Sequence, residues 1–220
     1  MFSLLLAIVA CSKDEVKKPA LSVLPKAIEA DANGKTQEIK VTSNGKWTVK
    51  SNAAEWCVVT PTSGENNGAF NVEIKPNETL ASRETTVVVK SETLEQTIEV
   101  TKDAASREAV LSGSKWEIES QSGEDGYDDL IGALINLNDD KTANVVLDIV
   151  IEEVPIDKVN GTWKLDKDNL IIEGKAAALD MDITVVLAIK EMNDEIIVCD
   201  MKVEMLLPPT GVPITLKRVK

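Results

Sequence analysis

Few side chains in this 220-residue sequence have a type and spacing suited to chemistry, and most of those are carboxylates. Glu124-Asp125 with Asp128-Asp129, and Asp180 with Asp182, bring acids within a few residues of one another. Paired acids can serve glycoside hydrolysis, and several oxygens together can hold calcium. Neither cluster has the spacing of a calcium loop, and neither is flanked by the several aromatic rings that a sugar pocket needs. Histidine is absent, which removes the commonest general base, triad member and zinc ligand together. The acids therefore read as solvated loop charge. No catalytic residue, metal site or cofactor is expected, and the chain does not read as an enzyme.

Cysteine supplies the next candidates. Cys57 and Cys199 each lie in an apolar stretch, one in each half of the chain, and read as small buried hydrophobes. Cys11 differs because of what surrounds it. Phe2 to Ala10 is one apolar run, ended by Ile8-Val9-Ala10-Cys11 and followed at once by Ser12-Lys13-Asp14-Glu15. The run is too short to span a bilayer, which takes about 20 apolar residues. It has the length of a signal-peptide core with a small-residue cleavage site. Ile8 to Cys11 resembles a bacterial lipobox, which implies a signal peptide over 1–10, removed in the mature protein, and a lipid on Cys11. Lys13, Asp14 and Glu15 resemble the export tag of Bacteroidetes surface lipoproteins. The resemblance implies a protein anchored to the outer membrane by lipid and exposed at the cell surface.

Composition sets the fold class. Val, Ile and Thr recur in alternating runs while helical Ala- and Leu-rich stripes are almost missing, a pattern for an all-β chain. A net charge of −13 speaks against nucleic acid as a partner. Residues 1–105 carry a net of −2 and residues 106–220 a net of −11, and this shift places a boundary near residue 105.

Ser12 to Leu24 is polar, contains Pro19, and reads as a tether, most of it in 11–21. Short β-like runs follow at Gln37–Thr42, Trp47–Lys50, Trp56–Thr60, Ala69–Lys75, Glu84–Lys90 and Glu95–Lys102. Turn signals separate them, among them Asn44-Gly45 and Pro61-Thr62-Ser63-Gly64. Short strands at such spacing predict a small sandwich over 22–102. Asn44-Gly45-Lys46-Trp47, Trp56 through Gly64, Asn77 and Arg83 resemble the BACON family, Bacteroidetes-associated carbohydrate-binding domains that are often N-terminal. The resemblance implies an immunoglobulin-like sandwich. The residues themselves favour a spacer: Trp47, Trp56 and Phe70 fall where a small sandwich needs large core residues, so they are expected inside.

Asp103 to Ala109 reads as a polar linker. The strands of 110–220 are longer: Trp116–Ser120, Ala133–Leu137, Thr142–Ile151, Thr162–Leu165, Leu170–Lys175, Asp182–Lys190, Glu195–Leu206 and Pro213–Val219. Met181, Ile183, Val185, Leu187 and Ile189 share one face of their strand; Ile197, Cys199, Met201, Val203 and Met205 share one face of the next. One apolar and one wet face, in up-and-down order, predict an eight-stranded antiparallel barrel. Gly113-Ser114-Lys115-Trp116, the Asn138-Asp139-Asp140 hairpin, Gly161-Thr162-Trp163 and Thr215-Leu216-Lys217-Arg218 resemble a bacterial lipocalin-like domain. That resemblance implies that Arg218 stacks on Trp116 at the base of the barrel and that the loop around Tyr127 covers its mouth.

An eight-stranded barrel is either filled by side chains or holds one small ligand. Methionines suit an adaptable apolar cavity, so the candidate ligand contacts are Tyr127, Trp163, Cys199, Met201 and Met205. Two functions stand side by side: binding of a small apolar or amphipathic ligand in the barrel, or a surface scaffold or carbohydrate-binding accessory protein of a glycan-uptake system.

Overall fold

Burial alternates with a period of two along almost every strand, and that alternation builds both parts of the molecule. The computed structural model describes residues 18–122, 128–151, 154–176, 180–203, 207 and 210–220. Its first nine strands are β1 (Leu21–Leu24), β2 (Ala27–Ala30), β3 (Lys35–Ser43), β4 (Lys46–Ser51), β5 (Cys57–Thr60), β6 (Ser63–Glu65), β7 (Gly68–Ile74), β8 (Arg83–Ser91) and β9 (Leu94–Lys102). They form two sheets, ordered β1-β3-β7-β5 and β2-β9-β8-β4-β6, which is a β-sandwich. Ile39 and Val41 from β3, Phe70, Val72 and Ile74 from β7, Val87 and Val89 from β8, and Ile98 and Val100 from β9 are its buried apolar rows. The Trp47 ring lies over Gly64 of β6, so closely that a β-carbon there would be 2.1 Å from it.

Two expectations are corrected here. The tether reading of Ser12–Leu24 fails at its end, because Leu21 to Leu24 pair with Ser43 to Lys40 as strand β1. Alternation over four residues bounded by prolines is too short to be recognised from sequence. Likewise β2 and β6 are short strands that turn chemistry disguised.

A five-residue helix, α1 (Arg107–Leu111), follows, where the sequence suggested a linker to Ala109. Ser106 is its N-cap, its Oγ accepting from the Ala109 N–H at 3.1 Å. Then come β10 (Ser114–Gln121), a 3₁₀ turn (Asp128–Leu130), β11 (Leu134–Leu137), β12 (Thr142–Ile151), β13 (Val154–Asp166), β14 (Asn169–Ala176), β15 (Met181–Met192), β16 (Ile196–Val203) and β17 (Val212–Arg218). These eight strands pair in sequence order and β17 closes on β10, giving a barrel with no free edge. The eight-stranded expectation holds. Strand β13 is much longer than the Thr162–Leu165 run, because Pro155, Asn160 and Gly161 resemble loop residues while lying in the strand.

The described chain divides into two compact units. One contains Lys35–Lys75 and Glu84–Thr101 with the residues before Ala30; the other contains Lys102–Lys220 with Ala30–Gly34 and Pro76–Arg83.

Inside the barrel, Ile135, Leu137, Val145, Leu170, Ile172, Val185, Leu187, Ile197, Cys199, Met201 and Leu216 are each at most 1% exposed and belong to one contiguous core. Met181, expected on this face, is 39% exposed at the start of β15. The outside carries cross-strand ion pairs instead: Lys164 with Glu173 at 2.7 Å, Lys190 with Asp200 at 2.6 Å and Lys217 with Glu119 at 2.8 Å. Each has at least one largely exposed partner, so solvent screening leaves them little net contribution to stability. An apolar interior and a charged exterior are the reverse of a membrane-spanning barrel.

Gly161 and Gly174 stand opposite each other on β13 and β14. A β-carbon on Gly161 would lie 2.0 Å from the Glu173 carbonyl oxygen, so only glycine allows the strands to approach this closely. Gly161→Ala should lower the unfolding free energy by about 1–3 kcal/mol, the usual scale for overpacking. Urea denaturation of the purified chain measures this as a shift in midpoint.

Candidate functional site

The end of the barrel formed by the β11–β12, β13–β14 and β15–β16 turns is sealed, and two of the aromatic residues singled out from the sequence help to seal it. Trp116, fully buried, donates its indole N–H to Ser114 Oγ at 2.6 Å, and that hydroxyl donates to the Leu111 carbonyl at 2.5 Å. The buried polar atoms thus satisfy one another. Trp116 pairs in register with Arg218, whose guanidinium carbon lies 5.9 Å from the indole centroid, within cation–π reach. The structure therefore brings together the pair that the lipocalin resemblance implied.

Trp163 belongs to the same end. Its Nε1–H donates to the Asn138 carbonyl at 2.9 Å, and Lys141 Nζ sits 3.7 Å from the ring centroid. Lys141 also pairs with Glu108 of α1 at 2.5 Å. Arg107 pairs with Asp168 in the β13–β14 turn, and Ser112 Oγ donates to Asp139 at 2.9 Å. Helix α1 is thereby fastened to two hairpin turns while Leu111 enters the core. From sequence this helix was hidden, since five residues carry too little periodicity; the Ser106 cap followed by Glu108 was the one available signal.

The proposed ligand contacts separate under this geometry. Trp163 lies at the sealed end, while Cys199 and Met201 belong to the packed core between the strands. Tyr127 and Met205 lie outside the described residues, as do Cys11, Lys13, Asp14 and Glu15. Cys199 and Met201 are both fully buried; Met201 stands opposite Leu187 and Val212. Burial, with Asp200 adding to it, pushes the Cys199 thiol up to about 12. Burial also raises the Cys57 thiol. Both are free cysteines and neither is available as a thiolate at neutral pH.

Among the described residues, the acids of the second cluster and of the β11–β12 turn are solvated or bonded to the backbone. Asp180 and Asp182 are exposed and share Lys175, at 3.2 and 3.9 Å. Asp140 accepts from the Thr142 backbone at 2.9 Å and its hydroxyl at 2.6 Å, which closes the β11–β12 turn and lowers its carboxyl. Glu124 and Asp125 lie outside the described residues. Among the described residues, no three His, Cys, Asp or Glu side chains converge to hold a metal ion.

In the sandwich, Trp47, Trp56 and Phe70 are 3%, 8% and 2% exposed, so none offers a ring to a sugar. The outer face of β4 and β8 carries a depression of about 310 Å³ lined by Thr48, Lys50, Asn52, Val88, Lys90 and Glu95, polar and charged groups on aliphatic stems. The Asn52 amide donates to Thr86 at 2.7 Å, and Lys90 pairs with Glu95 at 2.8 Å.

Comparison with known proteins identifies the N-terminal part as BACON-like: residues 20–105 match the family described as the viral BACON domain. Among solved structures, the chain is similar to a Bacteroides ovatus GH5 xyloglucanase in complex with a XXXG heptasaccharide, at 27% identity over 40% of this chain and 19% of that one, with a TM-score of 0.37. The chain thus spans about a fifth of the xyloglucanase's length. A protein from Bacteroides thetaiotaomicron is similar at 21% identity over 37% of this chain and 79% of its own, TM-score 0.29. Domains 5-6 of the S-layer protein SbsC align at 14% identity over 92% of this chain and 98% of theirs, TM-score 0.31. No curated protein matches the chain.

One buried group was missed altogether. Lys102 ends the inward row Ile98, Val100, Lys102 on β9, is 1% exposed, and among the described residues its Nζ has no hydrogen-bond partner. Burial lowers its pKa, Arg83 lowers it further, and Asp31 opposes both. The unfolded chain therefore binds a proton that the folded chain holds less tightly, so stability should rise as pH climbs through the lowered pKa towards 10.5. Lys102→Met should flatten that rise and raise the unfolding midpoint at neutral pH. Chemical denaturation of both proteins across the alkaline range checks it.

Proposed function

We propose that this chain is a lipid-anchored envelope protein, joined to the outer membrane through Cys11 and exposed at the cell surface, that acts as a non-enzymatic accessory module through its outer surfaces. The anchoring rests on the sequence around Cys11; the observation that supports a role for the outer surfaces is the barrel interior, whose described inward positions form one packed core, with Trp116, Trp163 and α1 closing one end. Eight strands enclose room for side chains or for one small ligand, and the burial of the described inward side chains supports the first. The match of residues 20–105 to the BACON family supports a carbohydrate-related role. With the sandwich aromatics in the core, a glycan would be held by hydrogen bonds and charge in the depression between β4 and β8, not by ring stacking.

The reading predicts that neutral and anionic lipophilic probes show no saturable fluorescence change with the full chain. Saturable binding of a neutral probe, lost in a folded Met201→Trp variant, would overturn the filled-barrel reading in favour of an internal ligand site. Mass spectrometry of the mature N-terminus should find an acylated Cys11, and an unmodified Met1 would overturn the anchoring.

A further inference from the structure

Asn44 makes two hydrogen bonds that the sandwich does not need for its own closure. It occupies the turn between β3 and β4, and its side-chain amide reaches back to the chain ahead of β1. Its Oδ1 accepts from the Ala20 N–H at 2.8 Å, and its Nδ2 donates to the Lys18 carbonyl at 2.9 Å. One amide thus does for residues 18–20 what a neighbouring strand would do, an acceptor and a donor presented side by side. The turn that carries it is braced. The Gly45 N–H donates to Ser43 Oγ at 3.2 Å, the Asn66 N–H to the Gly45 carbonyl at 2.9 Å, and the Ser43 N–H to Asn67 Oδ1 at 3.1 Å.

We propose that Asn44 is a clasp that fixes where the N-terminal tether leaves the sandwich, and so turns the β3–β4 end of that domain towards the lipid surface. The orientation rests on the anchoring at Cys11 proposed above; the clasp itself does not. Lys18 is seven residues beyond Cys11, a reach of at most about 25 Å for an extended chain. The end of the sandwich that holds Asn44 also holds the β8–β9 turn, since a β-carbon on Gly45 would lie 3.7 Å from the Glu92 carboxylate. Glu84, at the start of β8, lies at the far end of the same strand, roughly 25 Å away at about 3.3 Å per residue. The tether therefore holds the β8–β9 turn near the bilayer while the start of β8 stands clear of it.

The test uses the full acylated chain in phosphatidylcholine vesicles that carry an acceptor dye on their headgroups. A donor is attached at Thr93→Cys or Glu84→Cys; both positions are exposed, and the buried Cys57 and Cys199 thiols do not take the label. Energy transfer should be at least about twofold greater from position 93, given the separation along β8; equal or reversed transfer overturns the orientation. Trypsin cleavage after Lys17 should be several-fold faster in Asn44→Ala than in the parent. In Asn44→Asp, which keeps the acceptor for Ala20 and loses the donor to Lys18, it should be intermediate. Unchanged cleavage in both variants, with unaltered thermal unfolding, overturns the clasp. An unacylated Cys11 on protein that does not float with vesicles would sink the anchoring and the orientation with it, while the cleavage rates still decide the clasp.

Discussion

Closure of the C-terminal sheet on itself is the constraint from which most of the second unit follows. Once β17 pairs with β10, every strand of the ring has a hydrogen-bonded neighbour on both sides, and the inward side chains share one enclosed space of fixed size. That space must be filled without voids or overlap. Leu, Ile and Val supply most of the volume, and the bulky indoles stand towards the sealed end. The facing glycines on β13 and β14 let the backbones come together where any β-carbon would force them apart. Helix α1 is a consequence as well: a barrel with an open base would expose Trp116, and a five-residue helix pinned by ion pairs to two hairpins adds its own Leu111 to the core at that end.

The sandwich answers a different demand. It has two faces to cover and only two tryptophans and one phenylalanine to do it with, and all three went inside. That choice leaves its exterior built from Thr, Lys, Glu and Asn. Recognition by such a surface depends on hydrogen bonds and charge, which makes it sensitive to ionic strength in a way that an aromatic platform is not. The match to the BACON family extends over this part of the chain alone.

Strand type and barrel closure were legible because the alternation in β15 and β16 is long and clean, and a slip of one residue would turn every apolar side chain outward. Short elements were not: β1, β2 and β6 have three or four residues each, and α1 has five. Trp163 shows the limit of periodicity. Alternation places it on the inward face, where it is buried, but says nothing about height along the barrel, and the structure puts it at the sealed end. Lys102 shows another. Its row demanded an apolar residue, and only packing reveals that the amine stays there without a hydrogen-bond partner among the described residues.

The two halves also differ in how they would treat a second copy of themselves. The barrel has no border strand to offer. The sandwich has four, β1, β5, β2 and β6, and each runs for only three or four residues. Unpaired strand borders template fibrous association, and short ones blunt it. Under the anchoring proposed above, such brief borders would keep neighbouring copies from fusing into continuous sheet.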